Sequence, residues 1–415
     1  MLRNYIKMAL KVLRRRPFFT FISLFAIGFT LTVLTISAAL IDHMLAPMPP
    51  ETRLDRTLGI YQLSAKGERI ELNTQPGYKL LDRCIRGLPG AEVVTIFSQA
   101  RSVNSYLDGK KIESHMKRTD GAFWEIMHFD FLEGNPYTEE DERNANFVAV
   151  INARTRREFF GNSPAVGNMI EADGQRFRIT GVVADIPIYR NNPFADIWVP
   201  ISTSKNDHYR SEFLSGFTGL ILAENRAAFP DIRREYQLRV AQIDMSDLEA
   251  PGVEVLLTRP ETYYEAASRE MLGTPIEKTR TAYLFAFFAG FMILFMLLPT
   301  ISLININVSR ILERASEIGV RKAFGASKMT LVGQFVTENV ILTLLGGALA
   351  FMASWVILTL FTRAEIVPYA QFAPNLRIFA VALGIALFFG IFSGVYPAWK
   401  MSRLHPVEAL RGTML

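Results

Sequence analysis

One cysteine, Cys84, stands in 415 residues. A lone thiol forms no internal disulfide, so any folded domain here is held by its core and not by cross-links. It also excludes paired-cysteine redox and zinc motifs. Histidine is scarce too. His43, His115, His128, His208 and His405 are scattered, none at metal-ligand spacing from another His, Cys or acid. There is no G-x-S-x-G elbow and no H-E-x-x-H, so the usual hydrolase signatures are missing. No G-x-x-x-x-G-K-[ST] or other phosphate-cradling loop is present, which leaves the chain no visible means of hydrolysing ATP. The acidic run Glu139-Glu140-Asp141-Glu142 reads as a solvated loop in preference to a cation site.

Half of the residues are hydrophobic, yet the mean hydropathy is only +0.18. The apolar residues are therefore concentrated. A membrane span needs about 20 of them in a row, and one charge at its centre costs roughly 3 kcal/mol. Four uncharged runs meet that length, predicting spans over 18–41, 281–309, 339–362 and 378–399. The first is too long for a signal-peptide apolar region of about 7–15 residues. The net charge of +5 would permit nucleic-acid binding, but the basic residues cluster at the ends of apolar runs. That assigns them to the cytoplasmic flanks of spans, with no nucleic acid as partner. Arg3, Lys7, Lys11, Arg14, Arg15 and Arg16 put the N-terminus inside. Alternation then puts 42–280 outside, the loop 310–338 inside, the short loop 363–377 outside and the tail 400–415 inside. The segment 1–17 reads as an amphipathic helix that lies on anionic membrane lipids, or as a positive flank that only sets topology.

Residues 42–280 read as a mixed α+β extracytoplasmic domain. A hairpin with an Asp108-Gly109 turn is expected over 106–111, and a second around Asp173-Gly174 over 169–179, continuing as a β-rich run to Val183. Asn152 caps a helix that Gly161 stops, and a further helix covers 225–242, starting near Asn225 and re-entering after Pro230. The domain shows no chemistry, which points to binding or mechanical work.

The loop after the second span carries the sharpest signal. It reads as a short helix ended at Gly325, followed by a new start at Ser327 as N-cap. Ile318, Val320, Ala323 and Phe324 would leave apolar surface bare in a mere connector, whereas an apolar edge with a charged rim suits docking to a partner.

Glu317-Ile318-Gly319-Val320-Arg321-Lys322-Ala323-Phe324-Gly325-Ala326-Ser327 resembles the E-I-G-x-R-K-A-x-G-A motif of the FtsX/MacB permease superfamily, the type VII ABC transporters. Glu338, Gly346-Gly347, Gly394-Val395-Tyr396-Pro397-Ala398 and the tail His405-Pro406-Val407-Glu408-Ala409-Leu410-Arg411 extend the likeness. Within the outer domain, Leu132-Glu133-Gly134-Asn135-Pro136, Val148 to Asn152 and Gly181 to Asp185 resemble the MacB periplasmic core. The resemblance implies a non-catalytic permease subunit in a bacterial inner membrane. Its coupling helix would seat on a separate cytoplasmic ABC ATPase through Glu317, Ile318, Gly319, Arg321, Lys322, Ala323, Gly325 and Ala326. ATP and Mg would be bound by that ATPase, with no cofactor on this chain. The resemblance further implies mechanotransmission: ATP-driven motion reshapes the outer domain to export or extract a substrate at the outer face. The absence of ionisable residues within the spans agrees with that picture. The alternative is an FtsX-like signalling platform that regulates an extracytoplasmic enzyme. A homodimer or a heterodimer with a paralogous permease is implied, and Gly28, Gly346, Gly347, Ala348 and Ala350 are small enough for close helix approach. A periplasmic adaptor or outer-membrane partner is compatible but not required.

Overall fold

The computed structural model describes residues 13–15, 17–107, 110–248, 250–313, 327–365, 368–370 and 372–402, together with Lys11 and Val320. The chain divides into two units: a helical one of Met1–His43, Phe285–Ile366 and Gln371–Leu415, and an α+β one of Met44–Leu284 with Val367–Ala370.

The helical unit contains α1 (Pro17–Leu45, whose last two residues belong to the α+β unit). The α+β unit then runs β1 (Thr57–Ile60), β2 (Leu63–Lys66), β3 (Glu71–Thr74), α2 (Tyr78–Ile85), β4 (Ala91–Ser98), β5 (Arg101–Leu107) and β6 (Lys110–Thr119). It continues through α3 (Phe123–Ile126), β7 (Phe131–Gly134), α4 (Glu139–Arg143), β8 (Val148–Asn152), α5 (Ala153–Phe160), β9 (Met169–Ala172) and β10 (Gln175–Val183). It closes with β11 (Ile197–Pro200), β12 (Phe217–Ala223), α6 (Phe229–Ala241), β13 (Val255–Thr258) and α7 (Tyr263–Leu272). Three long helices follow: α8 (Thr281–Glu313), α9 (Lys328–Arg363) and α10 (Leu376–Ser402).

Two helices, Pro17–Leu45 and Val332–Arg363, are long and apolar enough to cross a membrane; over the described residues the apolar stretches Thr281–Phe295 and Leu376–Phe392 are shorter. Small residues let α1 and α9 meet. A Cβ at Gly346 would lie 2.7 Å from Ile27 Cγ2, and one at Gly28 would lie 3.7 Å from the Gly346 carbonyl. The glycines read as close-approach sites thus work within one chain. Leu31, Leu34, Leu342, Ala350 and Phe379 fill the unit's core.

In the α+β unit a ten-stranded mixed sheet has the path β1-β12-β4-β6-β11-β8-β10-β7, with β5 on β6 and β9 on β10. The β6–β11 and β8–β10 pairs are parallel. A second sheet is ordered β13-β2-β3. α2 and α6 cover part of the large sheet through Leu81, Ile85, Ile232 and Tyr236, packed with Ile221. An aromatic cluster of Phe97, Phe123, Trp124, Tyr137 and Trp198 forms another core.

Local chemistry places many of these elements. β9 and β10 pair as a hairpin, with Asp173 at φ 53° and Gly174 at φ 68°. Both angles are left-handed, as a two-residue type I′ turn demands. Leu107 pairs with Lys110 across the other expected hairpin, whose Asp108-Gly109 turn lies outside the described residues. The Asn152 side chain accepts from the Thr155 N–H to start α5, which ends at Gly161 with φ 58°. Asn225 caps a 3₁₀ turn, and α6 follows with Pro230 in its first turn. The acidic run differs from expectation. Residues 139–142 are not a loop but the body of α4, closed by a Thr138–Asp141 capping box. Acids in a first turn favour the positive end of the helix, and Glu142 turns back to accept from the Ser202 N–H and hydroxyl at 3.0 and 3.1 Å.

Candidate functional site

The residues read from the sequence as the docking edge (Glu317, Ile318, Gly319, Arg321, Lys322, Ala323, Gly325 and Ala326) lie outside the described residues. Their C-terminal neighbour is described. Ser327 accepts from the Thr330 N–H at 3.2 Å and so starts α9 as its N-cap. Further along α9, Gln334 donates to the buried Glu338 carboxylate at 3.1 Å.

The α+β unit holds a buried polar network and a cavity that the sequence reading did not anticipate. Its centre is a loop over 186–196 that is fixed by charge. Glu51 and Arg190 form an ion pair at 3.1 Å with each side chain only 2% exposed. Asn192 donates to the other oxygen of Glu51 at 3.0 Å. From the adjacent β6, the fully buried Lys117 ammonium donates to the carbonyls of Asn191 and Asn192 at 2.7 and 2.5 Å. Burial pushes the Lys117 ammonium down to about 7, with the Glu51 carboxylate opposing. The loop's far end carries Asp196. It accepts from the His115 N–H at 2.7 Å, from His115 Nδ1 at 3.0 Å and from Asn152 Nδ2 at 2.9 Å. Tyr369 donates its hydroxyl to the same carboxylate at 2.8 Å. The Arg154 guanidinium lies 5.2 Å from the Tyr369 ring centroid, and Phe194 packs at 5.9 Å. Tyr369 holds φ at 66°, a conformation costly for a bulky residue, so these contacts select it.

Beside that loop opens a cavity of about 850 Å³. β3 and the residues after it supply Asn73 and Gln75, the loop supplies Tyr189, Asn191 and Asn192, and α7 supplies Tyr263. The cation that lines it, Arg269, is already engaged. It reaches the fully buried Glu261 at 3.0 Å and donates to Gln62. Arg259 meets the other Glu261 oxygen at 3.1 Å. Sequence inspection could not find this site, because its walls come from segments far apart in the chain and joined by the sheet topology.

In sequence order apolar helices precede and follow the α+β segment, and no group of three His, Cys, Asp or Glu side chains able to hold a metal occurs among the described residues. The MacB-like periplasmic core domain matches residues 20–236, and the FtsX-like permease C-terminal domain matches residues 289–406. The chain belongs to the ABC-transporter permeases of the MacB/FtsX type, membrane proteins with an extracytoplasmic α+β domain. It is 23% identical over 337 residues to the uncharacterized ABC transporter permease YknZ of Bacillus subtilis, covering 79% of this chain and 78% of that one. It is 27% identical over 295 residues to the macrolide export ATP-binding/permease protein MacB of Salmonella choleraesuis, covering 70% of this chain. This chain spans only 42% of the length of that relative, whose name includes an ATP-binding function. Among solved structures, the periplasmic region of MacB from Actinobacillus actinomycetemcomitans aligns with a TM-score of 0.38 and 14% identity, over 53% of this chain and 94% of that one.

Proposed function

We propose that this permease transmits force from a separate cytoplasmic ABC ATPase to its α+β domain, and that the domain's change of shape exports or extracts a substrate at the outer face of the membrane. The observation that carries the reading is the 317–327 sequence, with its apolar edge and charged rim, inside the FtsX-like domain of 289–406. Glu317, Arg321 and Lys322 supply the polar contacts to the ATPase. Gly319, Gly325 and Ala326 allow close approach, and Ile318 and Ala323 form the apolar edge. ATP and Mg²⁺ sit on the partner. Four spans carry the chain across a bacterial inner membrane with both termini in the cytoplasm, and two permease copies, or this chain and a paralogue, form the working pair. The lack of ionisable residues in mid-span supports motion transfer over passage through the bilayer.

The test is purification of the tagged chain from its native cells in gentle detergent. The expected result is a stoichiometric Walker-motif ATPase, lost from the Glu317→Ala/Arg321→Ala variant. Unchanged co-purification with that variant overturns the coupling assignment. Recovery of the wild-type chain alone, under conditions that preserve other membrane complexes, overturns the ABC partnership. An extracytoplasmic hydrolase in place of any exported material would favour the signalling-platform reading.

A further inference from the structure

The cavity beside the 186–196 loop has a composition that selects a ligand. Asn73 and Asn191, both exposed, and the half-buried Gln75 line its open side with side-chain amides that make no hydrogen bond to any described residue. Gln99 lines it too, donating weakly to Thr218 at 3.3 Å. An amide both donates and accepts, so a row of them suits a ligand rich in groups that do the same. Charge is spent or outside. Arg269 is held by Glu261 and Gln62, and Glu270 is exposed to water on α7. A phosphate or carboxylate ligand would find no free cation among the lining side chains; the Arg101 guanidinium stands at the rim, 3.5 Å from where a Gly216 Cβ would lie.

Apolar surface is present as well. α7 contributes Ala266, Ala267 and Met271, and Met44 and Leu45, the first residues of the α+β unit, add to it. Two tyrosines offer ring surface more than hydroxyls. The Tyr263 hydroxyl is committed to the Met44 carbonyl at 2.9 Å, and Asn192 approaches the Tyr61 hydroxyl at 3.5 Å. A purely apolar ligand would strand the amides, and a fully polar one would waste the rings and α7. A sugar ring presents hydroxyls at its edge and C–H groups on its faces, which matches both kinds of wall. The volume of about 850 Å³ lies in the usual range of small-ligand sites and admits more than one ring.

We propose that this cavity binds a neutral saccharide, free or as the glycan part of a larger substrate, through the Asn73, Gln75 and Asn191 amides and the Tyr61 and Tyr263 rings. The proposal rests on the reading of the chain as a permease that acts on a substrate at the outer face. It names the substrate class which that reading leaves open.

The experiment uses the full chain in phosphatidylcholine nanodiscs, so that no sugar-based detergent competes. Its probes are immobilised oligosaccharides of two to four residues: neutral glucosides, galactosides and N-acetylglucosaminides, with uronate, sialylated and glucosamine oligomers of equal length, and uncharged peptides. The expected result is retention on at least one neutral series and none on the acidic ones. The Asn73→Ala/Gln75→Ala variant should lose about tenfold in affinity, the loss of two hydrogen bonds, while hydrogen exchange across β4 and β12 stays unchanged. The proposal is overturned by no retention on any neutral series, by equal retention on acidic oligomers, by retention on peptides alone, or by wild-type binding of the double variant. Retention on glucosamine oligomers alone also overturns it, since it would assign the site to the Glu270 carboxylate. The permease reading fails separately. Saccharide binding without a co-purifying ATPase sinks that reading and spares this one, and the reverse result does the opposite.

Discussion

In the α+β unit, several buried carboxylates are met by guanidinium groups. Glu51 pairs with Arg190, Glu261 with Arg259 and Arg269, and Asp120 with Arg86 at 3.0 Å. In the helical unit, the buried hydroxyls of Ser23, Thr32, Thr35 and Thr343 turn back to carbonyls four residues earlier in their own helices. The contrast follows from the two solvents. A water-facing unit folds by removing apolar area from water, and it can hold a few desolvated ions if each has a partner. In lipid the hydrophobic drive between helices is gone, so polar groups satisfy themselves locally and helices associate through close packing. Gly28 and Gly346 are that packing made visible.

The contrast breaks most sharply at Glu51. Glu51→Ala leaves Arg190 charged and buried, and should lower the stability of the α+β unit by about 3–5 kcal/mol. Hydrogen exchange of the full chain should show the loss over β11 and the 186–196 loop, with α1 and α9 unaffected. The matching lesion in the helical unit is steric. Gly346→Val forces atoms into Ile27 and should cost about 1–3 kcal/mol, read as faster exchange in α1 and α9 with the α+β unit unaffected. A result in which either variant loosens both units equally would erase the distinction.

A pH series sharpens it further. Between about 7 and 10.5 the unfolded chain holds the Lys117 proton that the folded chain releases. The Lys117 contribution to stability is therefore present above 10.5 and is lost as pH falls toward 7, with a slope of at most about 1.4 kcal/mol per pH unit. The difference between wild type and Lys117→Met, followed by denaturant unfolding across that window, should carry that slope. A flat difference would mean that the ammonium stays charged against its two carbonyls. The smallest effect belongs to the surface. Lys205 and Asp173 pair at 2.9 Å with side chains 54% and 36% exposed, so Lys205→Ala should shift stability by less than about 1 kcal/mol.

What could be read from the sequence was local. Asn152, Asn225 and Ser327 announce helix starts because a cap needs only the next three residues, and Asp173-Gly174 announces a turn because both positions need positive φ. The uncharged runs were equally plain, since lipid admits few alternatives. The misses share a cause. Glu51 finds Arg190 across 139 positions, and Tyr369 finds Asp196 across 173, through a strand order that places β6, β11 and β8 side by side. Lys117 sits in a strand of alternating character and looks solvated until the sheet is covered on that face. The acidic run 139–142 looked like a loop because four acids repel. Thr138 and the helix dipole tip that balance, and Ser202, sixty residues on, fixes Glu142.

Cys84 lies at zero exposure among Leu80, Leu81 and Ile85, and burial pushes its thiol up to about 11. A thiol in that state is both hidden and uncharged at neutral pH, so it reacts slowly with maleimides and other electrophiles. Nature has thereby left the molecule an almost silent background for chemical labelling. Cysteines introduced at exposed positions of the α+β unit can carry spin or fluorescent pairs without deleting the native one, so distances within this domain can be measured on the otherwise unaltered chain.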